Sequence, residues 1–245
     1  MREFSILDNW WQFLIIAIVC YFLGSINFAW IISKLMNKDI TKMGSGNPGT
    51  MNVTRELGVK AGAATFVGDA LKGVIPMLIC FFLYRNYYFE YKGEVVAVSD
   101  FIRYFTAVFV VLGHILPLST RYKGGKGIAS TLGIFWCGLS LESPWWILLG
   151  IVVGACIITF ITLTEWGSMG SLFGVSGCSI IQLVIFFTRY EGVMKLGFNP
   201  YLVCLFVFIF ILNIFTWLAH RKNLRRLFAG EEHRTSFKKA LHKKG

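Results

Sequence analysis

Charge is what this sequence has least of. Asp, Glu, Lys and Arg make up 15% of the 245 residues, where a soluble domain averages about a quarter. Acids are scarcer than bases, 13 against 24, which gives a formal net charge of +11. The six cysteines, Cys20, Cys80, Cys137, Cys156, Cys178 and Cys204, contain no C-x-x-C pair and all fall in apolar runs. That pattern excludes a zinc or redox site and predicts buried thiols acting as small hydrophobes. Neither a metal nor a cofactor is expected. No groove-reading motif accompanies the basic excess, so nucleic acid is excluded as a partner. A cleaved signal peptide is not expected: the first apolar run is too long, and Glu3 and Asp8 spoil a basic leader.

Long apolar runs are what is present. Hydrophobic residues reach 56% and mean hydropathy is +0.63. Windows near 20 residues cross the ~30 Å hydrocarbon core as helices. The runs predict an all-α integral membrane protein, a seven-transmembrane-helix bundle with spans at Trp10–Leu35, Ala61–Tyr84, Phe101–Leu118, Ile128–Leu141, Pro144–Thr164, Met169–Thr188 and Pro200–Ala219. Residues 1–245 read as a single membrane domain with a short basic tail from about 229 to 245. Orientation follows from Lys and Arg in the loops. One face gathers seventeen, including Arg55, Arg121, Lys123, Lys126 and nine from Arg221 to Lys244, against six on the other, Arg103 and Arg189 among them. The N-terminus is therefore expected outside and the C-terminus in the cytoplasm. The tail "FKKALHKKG" reads as adhesion to anionic membrane lipid. "GIVVG" (Gly150–Gly154) and "GSLFG" (Gly170–Gly174) have the spacing that lets membrane helices approach closely, read here as packing within the bundle.

Three polar clusters fall on the basic face. In "MGSGNPGTMNVTR", Met43–Arg55, the glycines Gly44, Gly46 and Gly49 match G-x-G-x-x-G, with Asp69 twenty residues later. The dinucleotide fingerprint needs a strand before it; here membrane spans flank it, so that reading is rejected. Glycine-freed backbone, with Ser45, Asn47, Asn52 and the fork of Arg55, remains suited to an anion. The second cluster, Gly113–Ser130, leads through Gly124, Gly125, Lys126 and Gly127 into a helix, whose N-terminus is a ready anion site. It is not a Walker A loop, because Gly127 follows Lys126. His114 in this stretch reads more readily as a packed core histidine than as a base. The third, Trp217–Arg234, sets His220 and Asn223 three apart on one helix face, although Leu224, Leu227 and Phe228 equally suit an amphipathic surface helix. Inside the second span, Asp69 and Lys72 are costly in hydrocarbon and spaced to pair with each other. The short apolar runs Tyr104–Leu118 and Ile128–Leu141 flank the glycine-lysine loop, which predicts a recessed, positive pocket.

In order, these stretches resemble the bacterial acyl-phosphate:glycerol-3-phosphate acyltransferase family. Ser45–Arg55 resembles its S-G-N-x-G-A-T-N-x-x-R; Gly113–Pro117 with Gly124–Ser130 resembles G-H-x-F-P followed by G-G-K-G-x-A-T; His220–Leu227 with Gly230–Glu232 resembles H-R-x-N-I-x-R-L and G-x-E. Asp69–Gly73 matches D-x-x-K-G. Thr50-Met51 stands for Ala-Thr, Leu116 for Phe and Ser130 for Thr. The resemblance implies a multi-pass enzyme of the bacterial cytoplasmic membrane, with its active site on the cytoplasmic face. Its reaction moves a fatty acyl group from long-chain acyl phosphate to the 1-hydroxyl of glycerol 3-phosphate, giving lysophosphatidic acid, with a transient contact to the enzyme that makes acyl phosphate. Ser45, Arg55, Lys126, His220 and Asn223 are the expected catalytic residues. Gly46, Asn47, Gly49, Asn52, Asp69, Lys72, His114, Gly124, Gly125, Gly127, Ser130 and Glu232 are the expected substrate contacts. Neither a G-x-S-x-G elbow nor the H-x-x-x-x-D of the other glycerol-phosphate acyltransferase type occurs. The competing reading is a transporter or channel for a phosphorylated or other anionic solute.

Overall fold

The computed structural model describes residues 1–118, 123–232 and 234. Arg121, His233 and most of the basic tail lie outside them. Among the described residues the chain is mostly helical, and six helical segments are long and apolar enough to cross a membrane. They are the broken helix α1 (Ile6–Gly24) with α2 (Phe28–Leu35), then α4 (Val59–Tyr84), α5 (Val98–Ile115), α7 (Trp146–Thr164), α8 (Gly167–Arg189) and α10 (Pro200–Ala219). The fourth expected span is the shorter apolar helix α6, Ile128–Glu142, about 22 Å long at 1.5 Å per residue. Short helices α3 (Thr50–Leu57), α9 (Glu191–Lys195) and α11 (Arg221–Phe228) complete the set.

Two departures from the sequence expectation have local causes. Trp10–Leu35 is not one rod, because the side-chain oxygen of Asn27 accepts the Trp30 N–H at 2.8 Å and restarts the helix there. Between α4 and α5, where only a loop was expected, β2 (Tyr87–Tyr91) and β3 (Glu94–Ala97) form a hairpin, and β1 (Arg2–Glu3) adds to β2 in parallel. The turn residues Lys92 and Gly93 both have positive φ, +54° and +83°, as a type I′ hairpin turn requires. Phe89 stacks on Tyr201 with ring centroids 4.3 Å apart, fixing this small sheet to the start of α10.

Helix α5 is the axis of the bundle. In its hydrophobic window 78% of residues are buried, against 6% for α7, whose surface is left to lipid. Close approach to α1 explains why two glycines meet there. A Cβ on Gly113 would sit 2.1 Å from the Tyr21 carbonyl oxygen, and one on Gly24 would sit 2.1 Å from that of Val110. The core around α5 joins Tyr104, Ala107 and Val111 to Ile134 and Phe135 of α6, Val175 of α8 and Leu205 and Ile209 of α10. Gly170 and Gly174 pack against Ile161 and Ile157 of α7, as their spacing predicts, whereas Gly154 faces open space. Two cysteines correct the expectation of burial: Cys156 and Cys204 are exposed. An apolar run in a membrane helix need not point inward, because its outer surface meets a solvent that is apolar too.

The sheet caps one end of the bundle. At the other, α5 and α10 finish, α6 and α8 begin, and the three polar clusters assemble.

Candidate active site

The first cluster is built around Asn52. Its Oδ1 accepts the Ser45 N–H at 3.0 Å and its Nδ2 donates to the Met43 carbonyl at 3.0 Å. The carboxamide thus holds the loop, with Nδ2 also donating to the Ile40 carbonyl at 3.4 Å. Gly46 sits at φ +68°, where an L side chain is strained. The following helix α3 presents Arg55, whose Nε donates to the Met51 carbonyl at 3.2 Å.

In the second cluster the glycines let backbone lie on backbone. Gly125 N–H donates to the His114 carbonyl at 3.1 Å, and a Cβ on Gly124 would fall 2.1 Å from that same oxygen. Gly125 N–H is therefore spent on fold, not offered to a phosphate as the sequence suggested. Gly127, at φ +79°, forms the N-cap of α6, and Lys126 stands beside it.

The third cluster closes the ring. His220 Nδ1 lies 2.7 Å from the Thr216 carbonyl, which can only accept, so Nδ1 carries the proton and Nε2 is bare. Asn223 Nδ2 donates to Glu232 Oε1 at 3.1 Å, and Ser168 Oγ donates to the same oxygen at 2.8 Å.

One cavity of about 570 Å³ joins them. Ser45, Asn47, Gly49, Asn52 and Arg55 line it from the first cluster, and Lys126 and Gly127 from the second. His220, Asn223 and Glu232 line it from the third, with Asp69 and His114 deeper in. Five expected contacts do not line it: Gly46, Lys72, Gly124, Gly125 and Ser130. They stand behind it for physical reasons. Lys72 is neutralised by Asp69 at 2.8 Å and donates to the Ile26 carbonyl. Ser130 donates to the Asp69 carbonyl at 2.7 Å. His114 Nδ1 lies 3.6 Å from Asp69 Oδ1, and its Nε2 backs onto Gly125. These groups form a buried support under the glycine loop.

Electrostatics at the mouth are those of a half-desolvated cation site. Burial pushes the Lys126 ammonium down to about 8, with Arg226 and Arg55 adding to the effect and Glu232 opposing it. Burial likewise lowers Arg55, again against Glu232. His220 is driven down to about 3 by burial and by neighbouring Lys126, so it is neutral at physiological pH. Past this polar mouth the cavity turns apolar, lined by Phe66 of α4, Leu132 and Trp136 of α6, and Ile151 and Ile158 of α7.

The family model described as glycerol-3-phosphate acyltransferase matches residues 14–230. The chain belongs to that family. It is similar to the glycerol-3-phosphate acyltransferase of Thermoanaerobacter pseudethanolicus, 36% identical over 217 residues that cover 88% of this chain and 92% of the relative. The Clostridioides difficile glycerol-3-phosphate acyltransferase is 33% identical over 230 residues, covering 93% and 98%. Two crystal structures of PlsY, an integral membrane glycerol 3-phosphate acyltransferase, superpose with TM-scores of 0.72 for the glycerol 3-phosphate form and 0.70 for the lysophosphatidic acid form, each at 29% identity over 95% of this chain and 100% of that one. The chain is thus a multi-pass membrane acyltransferase of this family.

Sequence reasoning missed two features. Ser168 and Ser171 at the start of α8 line the cavity; their stretch was read only for its glycine spacing, and the two hydroxyls near a helix start were the available signal. It also counted Arg103 and Arg189 as loop charges. Arg103 is 1% exposed inside α5. There it donates to Asp100 at 2.8 Å and pairs with Glu142, while Arg189 bonds Asp100 at 2.9 Å and Glu142 as well. The spacing of Asp100 and Arg103, three apart like Asp69 and Lys72, was the signal.

Proposed function

We propose that this acyltransferase uses acyl phosphate as donor, esterifies the 1-hydroxyl of glycerol 3-phosphate and releases lysophosphatidic acid and inorganic phosphate. The observation that carries the reading is the joining of a cationic mouth to an apolar groove in one cavity. Such a shape suits a donor with a charged head and a long tail. Two phosphate groups must share the mouth, and unit charges ~4 Å apart repel by about 4 kcal/mol at an effective dielectric near 20. Arg55 and Lys126 offset that repulsion, with Ser45, Asn47 and Asn223 as neutral donors around them.

Acyl phosphate is already activated, so no enzyme nucleophile is required. The 1-hydroxyl oxygen attacks the acyl carbonyl carbon, the bond from that carbon to the phosphate oxygen breaks, and phosphate departs with the bonding pair. Donors at the mouth stabilise the negative charge that develops on the carbonyl oxygen. The hydroxyl proton passes to the phosphate of glycerol 3-phosphate. His220 is a poor rival for that role, since a group protonated only near pH 3 accepts a proton weakly at neutrality. It serves as a fixed neutral wall, and positioning is the protein's main contribution.

The basic-loop asymmetry supports a single membrane domain spanning residues 1–245 as seven crossings, N-terminus out, with the site on the cytoplasmic face of the bacterial plasma membrane. The acyl-phosphate-making enzyme would then deliver its product from that side. The test is direct: purified protein, palmitoyl phosphate and glycerol 3-phosphate should yield lysophosphatidate. Acyl-CoA or acyl carrier protein should not replace the donor, and turnover with acyl-CoA alone would overturn the donor assignment.

A further inference from the structure

The apolar arm of the cavity ends at a definite place. On α6 its lining residues Ile128, Leu132 and Trp136 recur every four positions and form one stripe. One turn further, Leu139 and Ser140 do not line it. On α7 the lining runs from Ile161 back to Ile151, while Gly150 and Ile147 lie outside it. Both helices therefore stop contributing at one level, roughly 12 to 15 Å along their axes from the polar mouth at 1.5 Å per residue.

At that level the two helices meet in a close contact. The Trp136 indole is seated against the backbone of Gly150; a Cβ added there would fall 2.0 Å from Trp136 Nε1 and 2.2 Å from Cδ1. No L side chain fits at position 150 while the indole keeps this pose. Trp136 itself lines the cavity. Next along α7, Gly154 has nothing within 4 Å of its would-be Cβ and leaves the arm open just short of the plug.

We propose that Trp136, held in the Gly150 notch, closes the groove between α6 and α7 and sets the length of acyl chain this enzyme prefers. The inference rests on the acyl-phosphate reading above and deepens it, naming the residue that selects among donors. Its mechanism is steric. A chain too long for the arm must leave it for the lipid or displace the indole, losing contacts in either case, and a hydrophobic pocket discriminates about tenfold or more per methylene.

Two substitutions should move selectivity in opposite directions. Trp136→Ala removes the plug and extends the groove. Gly150→Leu, or the milder Gly150→Ala, drives the indole off α7 toward the cavity and shortens it. The measurement is the rate with stearoyl phosphate divided by the rate with lauroyl phosphate, each at saturating glycerol 3-phosphate, taken within one preparation so that partial misfolding cancels. Trp136→Ala should raise that ratio about tenfold and the Gly150 variants should lower it. Ratios within about twofold of the parent in all variants, or a shift in the same direction for both positions, would overturn the proposal. If the parent protein used neither acyl phosphate, the donor reading would fall instead, a result separable from an active enzyme with an unmoved ratio.

Discussion

The two ends of this bundle each collect charges inside a low-dielectric fold, and they use them in opposite ways. At the sheet end, Asp100 and Glu142 meet Arg103 and Arg189, two acids with two bases, and the Tyr190 hydroxyl donates to Asp100 at 2.7 Å. Arg103 also lies over the Phe186 ring at 4.9 Å. At the site end, Arg55 and Lys126 face Glu232 across a cavity of about 570 Å³. The first group pairs its charges with one another and ties α5, α6 and α8 together. The second is set on glycine turns and helix ends, and its members line one cavity. Burying charge is common to both; only the open geometry makes a site for a ligand.

That contrast breaks most sharply at Arg103. Arg103→Ala leaves the buried Asp100 and Glu142 with Arg189 alone to offset both charges and should cost about 3–5 kcal/mol of stability, read as a lowered unfolding temperature in detergent, while turnover per folded molecule persists. Loss of turnover without loss of stability would erase the distinction between the two ends. Lys126→Ala tests the converse. kcat/KM should fall about 10²- to 10³-fold, as for removal of one preorganised donor, with thermal stability unchanged or raised because a desolvated cation is gone.

A pH profile sharpens the same point. Lys126 titrates near 8 in the folded protein, so its charge is present below that pH and lost above it. kcat/KM for glycerol 3-phosphate should decline about tenfold per unit on the alkaline side. Bound phosphate stabilises the ammonium and moves the fall in kcat to higher pH. Lys126→Arg should abolish the decline altogether, since guanidinium keeps its proton; an unchanged limb in that variant would assign the titration elsewhere. The smallest effect belongs to the support beneath the loop. Ser130→Ala removes the bond to the Asp69 carbonyl and should cost about 1 kcal/mol, visible as a modest drop in unfolding temperature.

Much of the site was legible because its chemistry is written in short local runs. Ser45 to Arg55, Gly124 to Gly127 and His220 to Asn223 each carry a recognisable donor pattern, and twelve of the seventeen residues marked from sequence line one cavity. What could not be read was the division of labour inside each run. Asn52 and Gly125 spend their hydrogen bonds on neighbours that only folding supplies. The wider Arg103 network escaped because Glu142 is 39 residues from Arg103 and Arg189 is 89 residues from Asp100, and a charge near a helix end looks the same whether it meets water or a buried carboxylate.

Hydropathy and residue spacing alone determined that the chain is a helical membrane protein with three anion-seeking stretches, since insertion into hydrocarbon depends on runs of consecutive residues. Tertiary structure decided the rest: that those stretches face one another, that Arg103 turns inward, and that Trp136 finds a glycine notch on a different helix. Such outcomes depend on which backbones approach to within van der Waals distance, and no single segment of sequence carries that information.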